Sequence, residues 1–544
     1  MKISRTATVF LVLLPVFVLA QTRSEETDPL KGLDEFIRAG MQDTKLPGFA
    51  LAIVRDDKII LTKGYGIREV GHAAPVDEHT IFPIGSTTKA LTATALGMLV
   101  DEGKLKWDDP IVNHLASFQL YDPWVGRHTT LRDALTHRSD TNPDLLSSVT
   151  ILTRDEIIER LRFVQPDGPF RARFSYNNVM YTLAGQVLAA AAGMSWDEFI
   201  RQRLFVPLGM NESYTNLDTL WDRNNIAPCF TCDLNHPVHV EDARNHGNVS
   251  LGHMMIADRP TAIPPRRYDN IGPAGGELSS SAHDMAQWLK LQVGNGVFNS
   301  MRLVSNESMD ETHSPQNILP AETDYFPRKG MTPIAYGFGW FLYDYSGTRI
   351  VWHSGGVLGF RALVGLLPEK HVGVAILTNC FMAPLAPALM MRIFDAYLGL
   401  PQHEWSKEDV APNVRIAQKA KELENNLQAA RIKGTHPSLP LERYAGTYES
   451  AMYGKVTVAL ENGGLVLRFP GAQVADLEHW HYDTFRMRLR GPLDAGVFAT
   501  FSLNLRGEVA EMALDYTPTV VITPPSETTD RLRRLPDRAR SDTR

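Results

Sequence analysis

The sequence predicts an α+β protein: a mixed helix-and-sheet unit spanning residues 29–400, followed by a small β-barrel at 438–536. Apolar, strand-like runs stand near both ends of the first unit with helical sequence between them. One antiparallel sheet closed by distant segments, with helices packed on it, satisfies that order. After Gly434 the apolar period drops from 3.6 to 2, and short strands broken by Gly and Pro read as a barrel or sandwich. The 544 residues are 44% hydrophobic and 22% charged, as in ordinary globular chains, and allow two to four domains. With 55 Lys and Arg against 62 Asp and Glu, the net charge of −7 gives no reason to expect nucleic acid.

Residues 1–20 read as a signal peptide. Lys2 and Arg5 precede an uncharged run of 12 from Val9 to Ala20, and Val18-Leu19-Ala20 offers small residues for cleavage ahead of Gln21. The run is shorter than the about 20 residues that span a bilayer, so no stable membrane span is expected. An uncleaved anchor is the alternative. The expected location is extracellular, or periplasmic in a bacterium.

Leu33, Phe36, Ile37 and Ala39 mark a first helix, and Phe49–Val54, Asp56-Asp57 and Ile59–Thr62 make strand, turn and strand. From 86 to about 290 the chain is mostly helical. Strands return at Arg349–His353, Ala362–Leu367 and Val372–Leu377, with turns placed at Gly355-Gly356 and Pro368-Glu369. Residues 401–437 form a helical linker, since Ile416, Ala420, Leu423, Leu427 and Ala430 share one face before Gly434 stops the helix. Barrel strands are expected at Lys455–Leu460, Leu465–Phe469, Phe485–Leu489, Phe498–Leu503 and Val509–Leu514. From Leu532 the chain reads as solvated, with a polar tail at 537–544.

Three cysteines exclude a disulfide-framed scaffold. Cys229-Phe-Thr-Cys232 is a candidate local disulfide, with two free thiols or a metal site with the nearby His236, His239 and His246 as alternatives. Cys380 follows an apolar run and reads as a buried small hydrophobe. Asn211, Asn248 and Asn306 head Asn-x-Ser sequons, which permit N-glycosylation.

The chemistry concentrates in three short segments. Gly85-Ser86-Thr87-Thr88-Lys89 opens an apolar helix that ends near Gly103, so Lys89 stands one turn over Ser86. The positive end of a helix dipole favours an alkoxide, and a buried lysine serves as a base, which together give a nucleophile–base pair. The alternative is a capping serine beside a solvated lysine, but this helix has few polar positions with which to face water. Tyr-x-Asn occurs at Tyr176/Asn178, Tyr214/Asn216 and Tyr268/Asn270. Only the first is followed directly by an apolar helix that would anchor it. Val351-Trp-His353-Ser-Gly355-Gly356 ends a strand, where glycines let a substrate backbone approach. The amide of Gly356 can complete an oxyanion hole with that of Ser86.

Taken in order, Ser86-x-x-Lys89, Tyr176-x-Asn178 and His353-x-Gly355 resemble the serine β-lactamase and penicillin-binding family, in its class C, D-aminopeptidase and esterase branch. Gly64-Tyr-Gly66, Pro207-Leu-Gly-Met210, Gly272-Pro-Ala-Gly-Gly-Glu-Leu-Ser279 with Asp284, Tyr336-Gly-Phe-Gly-Trp340 and Leu377-Thr-Asn379 extend the likeness over roughly 30–400. The resemblance implies a helical lobe against a five-stranded antiparallel sheet, and it implies that 438–536 is lipocalin-like. Two segments depart from the family pattern. His353-Ser-Gly355 replaces Lys-Thr-Gly, a form more typical of peptidases and esterases, and Thr136-His-Arg-Ser-Asp140 replaces Thr-His-Thr-Ser-Gly.

The expected protein is a secreted serine hydrolase that forms an acyl-enzyme on an amide or ester of a small molecule or peptide. Ser86 attacks, Lys89 and Tyr176 relay the proton, Asn178 holds the substrate amide, and His353 contacts a carboxylate or assists Tyr176. Gly355 and Gly356 line the oxyanion side, and no metal or organic cofactor is required. The alternative is a binding or extracellular-matrix protein with little turnover. The oligomeric state is left open.

Overall fold

The computed structural model describes residues 28–535 except 142–145, 147–151, 217–248, 257–258, 264–268, 277, 321–329, 402, 406–409, 471–473, 491–496 and 517–528. The signal segment, Cys229, Cys232, Asn248 and Tyr268 lie outside the described residues.

The first unit is built on one sheet. Its strands are β1 (Gly48–Arg55), β2 (Lys58–Gly66), β3 (Asn317–Ile318), β4 (Met331–Tyr336), β5 (Phe341–Tyr345), β6 (Thr348–Val357), β7 (Phe360–Leu367) and β8 (Val372–Thr378). They pair in the order β2-β1-β8-β7-β6-β5-β4-β3, antiparallel throughout. Among the described residues the sheet therefore has eight strands rather than five, because β5, β4 and β3 widen it beyond β6.

The register Phe49↔Thr378 joins residues more than 300 apart, as the split strand pattern requires. Both faces of the sheet are covered, so β1 is buried from Gly48 to Val54 and reads as a continuous apolar run. One face carries Ala50, Ala52, Val364 and Leu377 toward the helical lobe. The other carries Phe49, Leu51, Ile53 and Ile376 toward helices α1 (Leu33–Thr44) and, near the end of the unit, Leu385–Leu398.

Two helices position the site. In α2 (Thr88–Asp101) every residue from Thr88 to Leu99 is buried, which removes the solvated-lysine alternative. Helix α3 (Asn178–Ala192) starts on Asn177, whose side chain accepts from the Met180 N–H, and stops at Gly193 with φ 70°.

One turn lies elsewhere than the sequence implied. Gly355 and Gly356 sit inside β6, which runs on to Val357 before turning at Leu358-Gly359. The physical reason is close approach rather than chain reversal: a Cβ on Gly355 would overlap the Ile84 carbonyl.

The second unit is a closed barrel of eight strands, Gly446–Ser450, Gly454–Glu461, Gly464–Arg468, Val474–His481, Thr484–Leu489, Val497–Leu503, Val509–Tyr516 and Thr529–Arg534. Each pairs with the next, and the last closes on the first through Tyr448↔Arg534. Leu532 thus belongs to the closing strand and is fully buried, not part of a solvated end. Sequence reading missed that strand because Leu532 stands between Arg531 and Arg533, which are exposed here.

The 401–437 segment contains a helix over Val410–Ala430, as its periodicity required. Its second half is tied to the barrel: Glu424 takes two hydrogen bonds from Arg486, at 2.7 and 2.8 Å. Arg431 donates to the Trp480 and His479 carbonyls. No helix among the described residues is long and apolar enough to cross a membrane. Cys380 is buried as expected, and burial pushes its thiol up to about 11. Asn211 and Asn306 are both exposed.

Candidate active site

Ser86 lies in a 3-10 turn, Gly85–Thr87, that runs directly into α2. Helical spacing then brings Lys89 beneath it, with Nζ 3.1 Å from Ser86 Oγ. Nζ also donates to Asn178 Oδ1 at 2.7 Å and to the Ala274 carbonyl at 2.9 Å. Those last two acceptors carry no proton to give. Once Lys89 loses a proton, two N–H groups can stay on those acceptors while its lone pair takes the Ser86 hydroxyl proton, as a general base requires.

Tyr176 stands beside this pair, its ring centroid 4.8 Å from Lys89 Nζ. The anchored Tyr-x-Asn is therefore the one at the site. Tyr214 instead bridges to Ser279. Asn178, expected to hold a substrate amide, has its amide oxygen on Lys89 Nζ.

The oxyanion side is made by close backbone approach. β5 begins opposite Trp352, so from His353 onward β6 pairs only with β7 and leaves its other edge toward residues 84–86. A Cβ on Gly85, which has φ +53°, would stand 2.7 Å from Gly356 N, and one on Gly355 would stand 2.9 Å from Ser86 N. The Ser86 and Gly356 amides are thereby brought to the same place. Gly275 also packs closely on this turn, where a Cβ would overlap the Gly85 carbonyl.

His353, expected to contact a substrate carboxylate or to assist Tyr176, lies inside the protein beside the site. It is 1% exposed, and both ring nitrogens are engaged. Nδ1 donates to the Ser354 carbonyl at 2.6 Å, which leaves Nε2 to accept from the Tyr336 hydroxyl at 3.0 Å. Burial, then the charge of Lys89, hold its pKa down to about 3, so the ring stays neutral across the ordinary pH range. Its ring centroid is 6.3 Å from that of Tyr176, which keeps it within the aromatic wall behind the site.

His137 is a site residue that sequence reasoning passed over. It is fully buried and lies 4.4 Å, ring to ring, from Tyr176. Its carbonyl accepts the Ser175 N–H at 2.7 Å and its Nδ1 accepts the Asn177 N–H at 3.0 Å. Burial, then the Lys89 charge, hold its pKa well below the usual imidazole value. The departure at Asp140 is accommodated. His137 and Asp140 have φ of 56° and 57°, a region that His and Asp enter more readily than most residues. Asp140 then pairs with Arg173 at 2.9 Å, and buried Asp133 with Arg138 and Arg171 at 2.5 and 2.6 Å. The segment 137–140 is clamped to 171–177. Its only signal in the sequence was the quoted Thr136–Asp140 stretch.

The beta-lactamase family profile matches residues 33–397, and a domain of unknown function, DUF3471, matches 430–529. The chain is 25% identical over 466 residues to unguisins hydrolase ungD of Aspergillus violaceofuscus, covering 80% of this chain and 78% of that one. It is 28% identical over 359 residues to penicillin-binding protein 4 of Amycolatopsis lactamdurans, covering 65% and 85%. The octameric penicillin-binding protein homologue of Pyrococcus abyssi shares the fold with a TM-score of 0.54 at 23% identity, over 92% of this chain and 99% of that one. The family match spans the whole sheet, the turn that carries Ser86 and the helices that carry Lys89 and Asn178, and hydrolases stand among the relatives, so this chain belongs to the β-lactamase family and is a serine hydrolase.

Proposed function

We propose that the chain is a secreted hydrolase of neutral esters and small amides, in the class C, D-aminopeptidase and esterase branch, with Ser86 as its nucleophile. The observation that carries this reading is Lys89 Nζ, held by two carbonyl oxygens and aimed at Ser86 Oγ. Ser86 Oγ bonds to the carbonyl carbon as its proton passes to Nζ, and the Ser86 and Gly356 amides hold the oxyanion. Collapse breaks the bond to the leaving group, which takes the proton from Lys89 by way of Tyr176. Water then repeats the sequence on the acyl-enzyme. The name of the hydrolase relative supports turnover over a purely binding role. The consecutive antiparallel order of the eight barrel strands supports a lipocalin-like second domain.

Intact-mass measurement after incubation with a fluorophosphonate should show one adduct, absent in Ser86→Ala. An adduct that survives the substitution removes Ser86 from the role.

Substrate preference follows from His353. A neutral, buried imidazole with both nitrogens occupied offers no charge to a substrate carboxylate. kcat/KM for a neutral ester should exceed that for a penicillin, and the ratio should stay flat from pH 5.5 to 8.5, since burial keeps His353 from titrating there. A preference for the penicillin at pH 8 would contradict this.

A further inference from the structure

Away from Ser86, three side chains from distant segments converge: His79, Glu212 and His283 each offer a ligand atom, all within 4.8 Å of one another. We propose that they form a binding site for one Zn²⁺ ion. His79 Nδ1 lies 2.8 Å from Glu212 Oε1, and His283 Nδ1 lies 3.9 Å from Glu212 Oε2. Ligand atoms on one tetrahedral zinc stand roughly 3.3 Å apart, so small rotations of half-exposed side chains close the set.

The backbones that carry these residues are already fixed. Asp284 Oδ2 accepts from the Glu212 N–H at 2.7 Å and from Ser213 Oγ at 2.8 Å. The His283 N–H donates to the Glu78 carbonyl at 3.0 Å, and the His79 N–H to Asp77 Oδ1 at 3.1 Å. Ser281 Oγ donates to Glu212 Oε2 at 2.5 Å. Asp284 Oδ1 stands 3.1 Å from that same His283 Nδ1, so His283 meets the ion either by leaving Asp284 or through Nε2 with Asp284 behind it.

Charge points the same way. Glu78, Glu212 and fully buried Asp284 surround two imidazoles, an excess of negative charge that a divalent cation offsets. Two imidazoles with one carboxylate suit zinc rather than calcium or magnesium, and three protein ligands leave a fourth position to water. The same segments frame the Phe82–Pro83/Ser279–Ser280 strand pair just ahead of Ser86, so the ion would staple the base of the nucleophile turn.

The test uses the full-length protein after chelation and dialysis, titrated calorimetrically with ZnCl₂. One ion per chain is expected, with a rise of several degrees in melting temperature at saturation. His79→Ala and His283→Ala should each weaken binding at least tenfold while the unliganded melting temperature stays put. Glu212→Gln should do the same if either histidine variant misfolds. A Cys229→Ser/Cys232→Ser variant should bind as the parent does. No binding, or binding that survives the histidine substitutions or disappears with the cysteines, would overturn the assignment.

Discussion

Tyr176 is held at both flanks by one residue, since His137 accepts the N–H of Ser175 on its carbonyl and that of Asn177 on its Nδ1. His137→Ala strands the buried Asn177 N–H, a loss of about 1–3 kcal/mol, and leaves Tyr176 free to shift against Lys89. We expect kcat on an ester to fall roughly 10- to 100-fold with KM little changed, and His137→Asn, which restores an acceptor, to recover part of it. A change confined to KM would sink this positioning role. At this scale the sequence was legible where chemistry follows local spacing, as for Ser86 and Lys89 on one helix. It was misread at Gly355-Gly356, because two glycines look like a turn until the 84–86 backbone is seen packed against them. His137 was hidden because its work depends on a hydrogen bond to a residue 40 positions away.

The helix over Val410–Ala430 shows the same division among elements. Its period was readable, but its attachment was not, since nothing local ties Glu424 to a barrel strand some 60 residues on. The Arg486 guanidinium beside Glu424 holds that carboxyl down to about 2, and Arg486 itself is buried. The segment is thus less a free linker than an extension of the barrel. Limited proteolysis should therefore cut ahead of about residue 420 and release a fragment that keeps the second half of the helix. Arg486→Ala, which leaves Glu424 without its bidentate partner, should move cleavage toward 425–437. Primary cleavage of the parent protein at 425–437, read by mass spectrometry, would show that the helix is not docked.

Across the whole molecule, the hydrolase unit buries several neutral imidazoles. His137 and His353 are described above, and burial also takes His313 down to about 4. In the unfolded chain each titrates near 6.5, where the imidazolium is freely solvated. Below that value the unfolded state binds protons that the native state refuses. The stability these groups contribute is therefore complete above pH 6.5 and is lost as pH falls toward the folded values. Each costs about 1.4 kcal/mol per pH unit well below 6.5, and three together roughly 4 kcal/mol per unit. The melting temperature of the hydrolase unit should accordingly fall by several degrees per unit between about pH 6 and 4.5, and His313→Asn should lower that slope by about one proton's worth. Asp133 belongs to a later stage. Burial alone would raise its carboxyl, but Arg171, Arg138 and Thr130 hold it below the usual carboxylate range, so its contribution fades only under more acid conditions. A melting temperature flat from pH 6.5 to 4.5 would mean that these imidazoles are reached by protons without unfolding, and that the aromatic wall behind Ser86 is open to water.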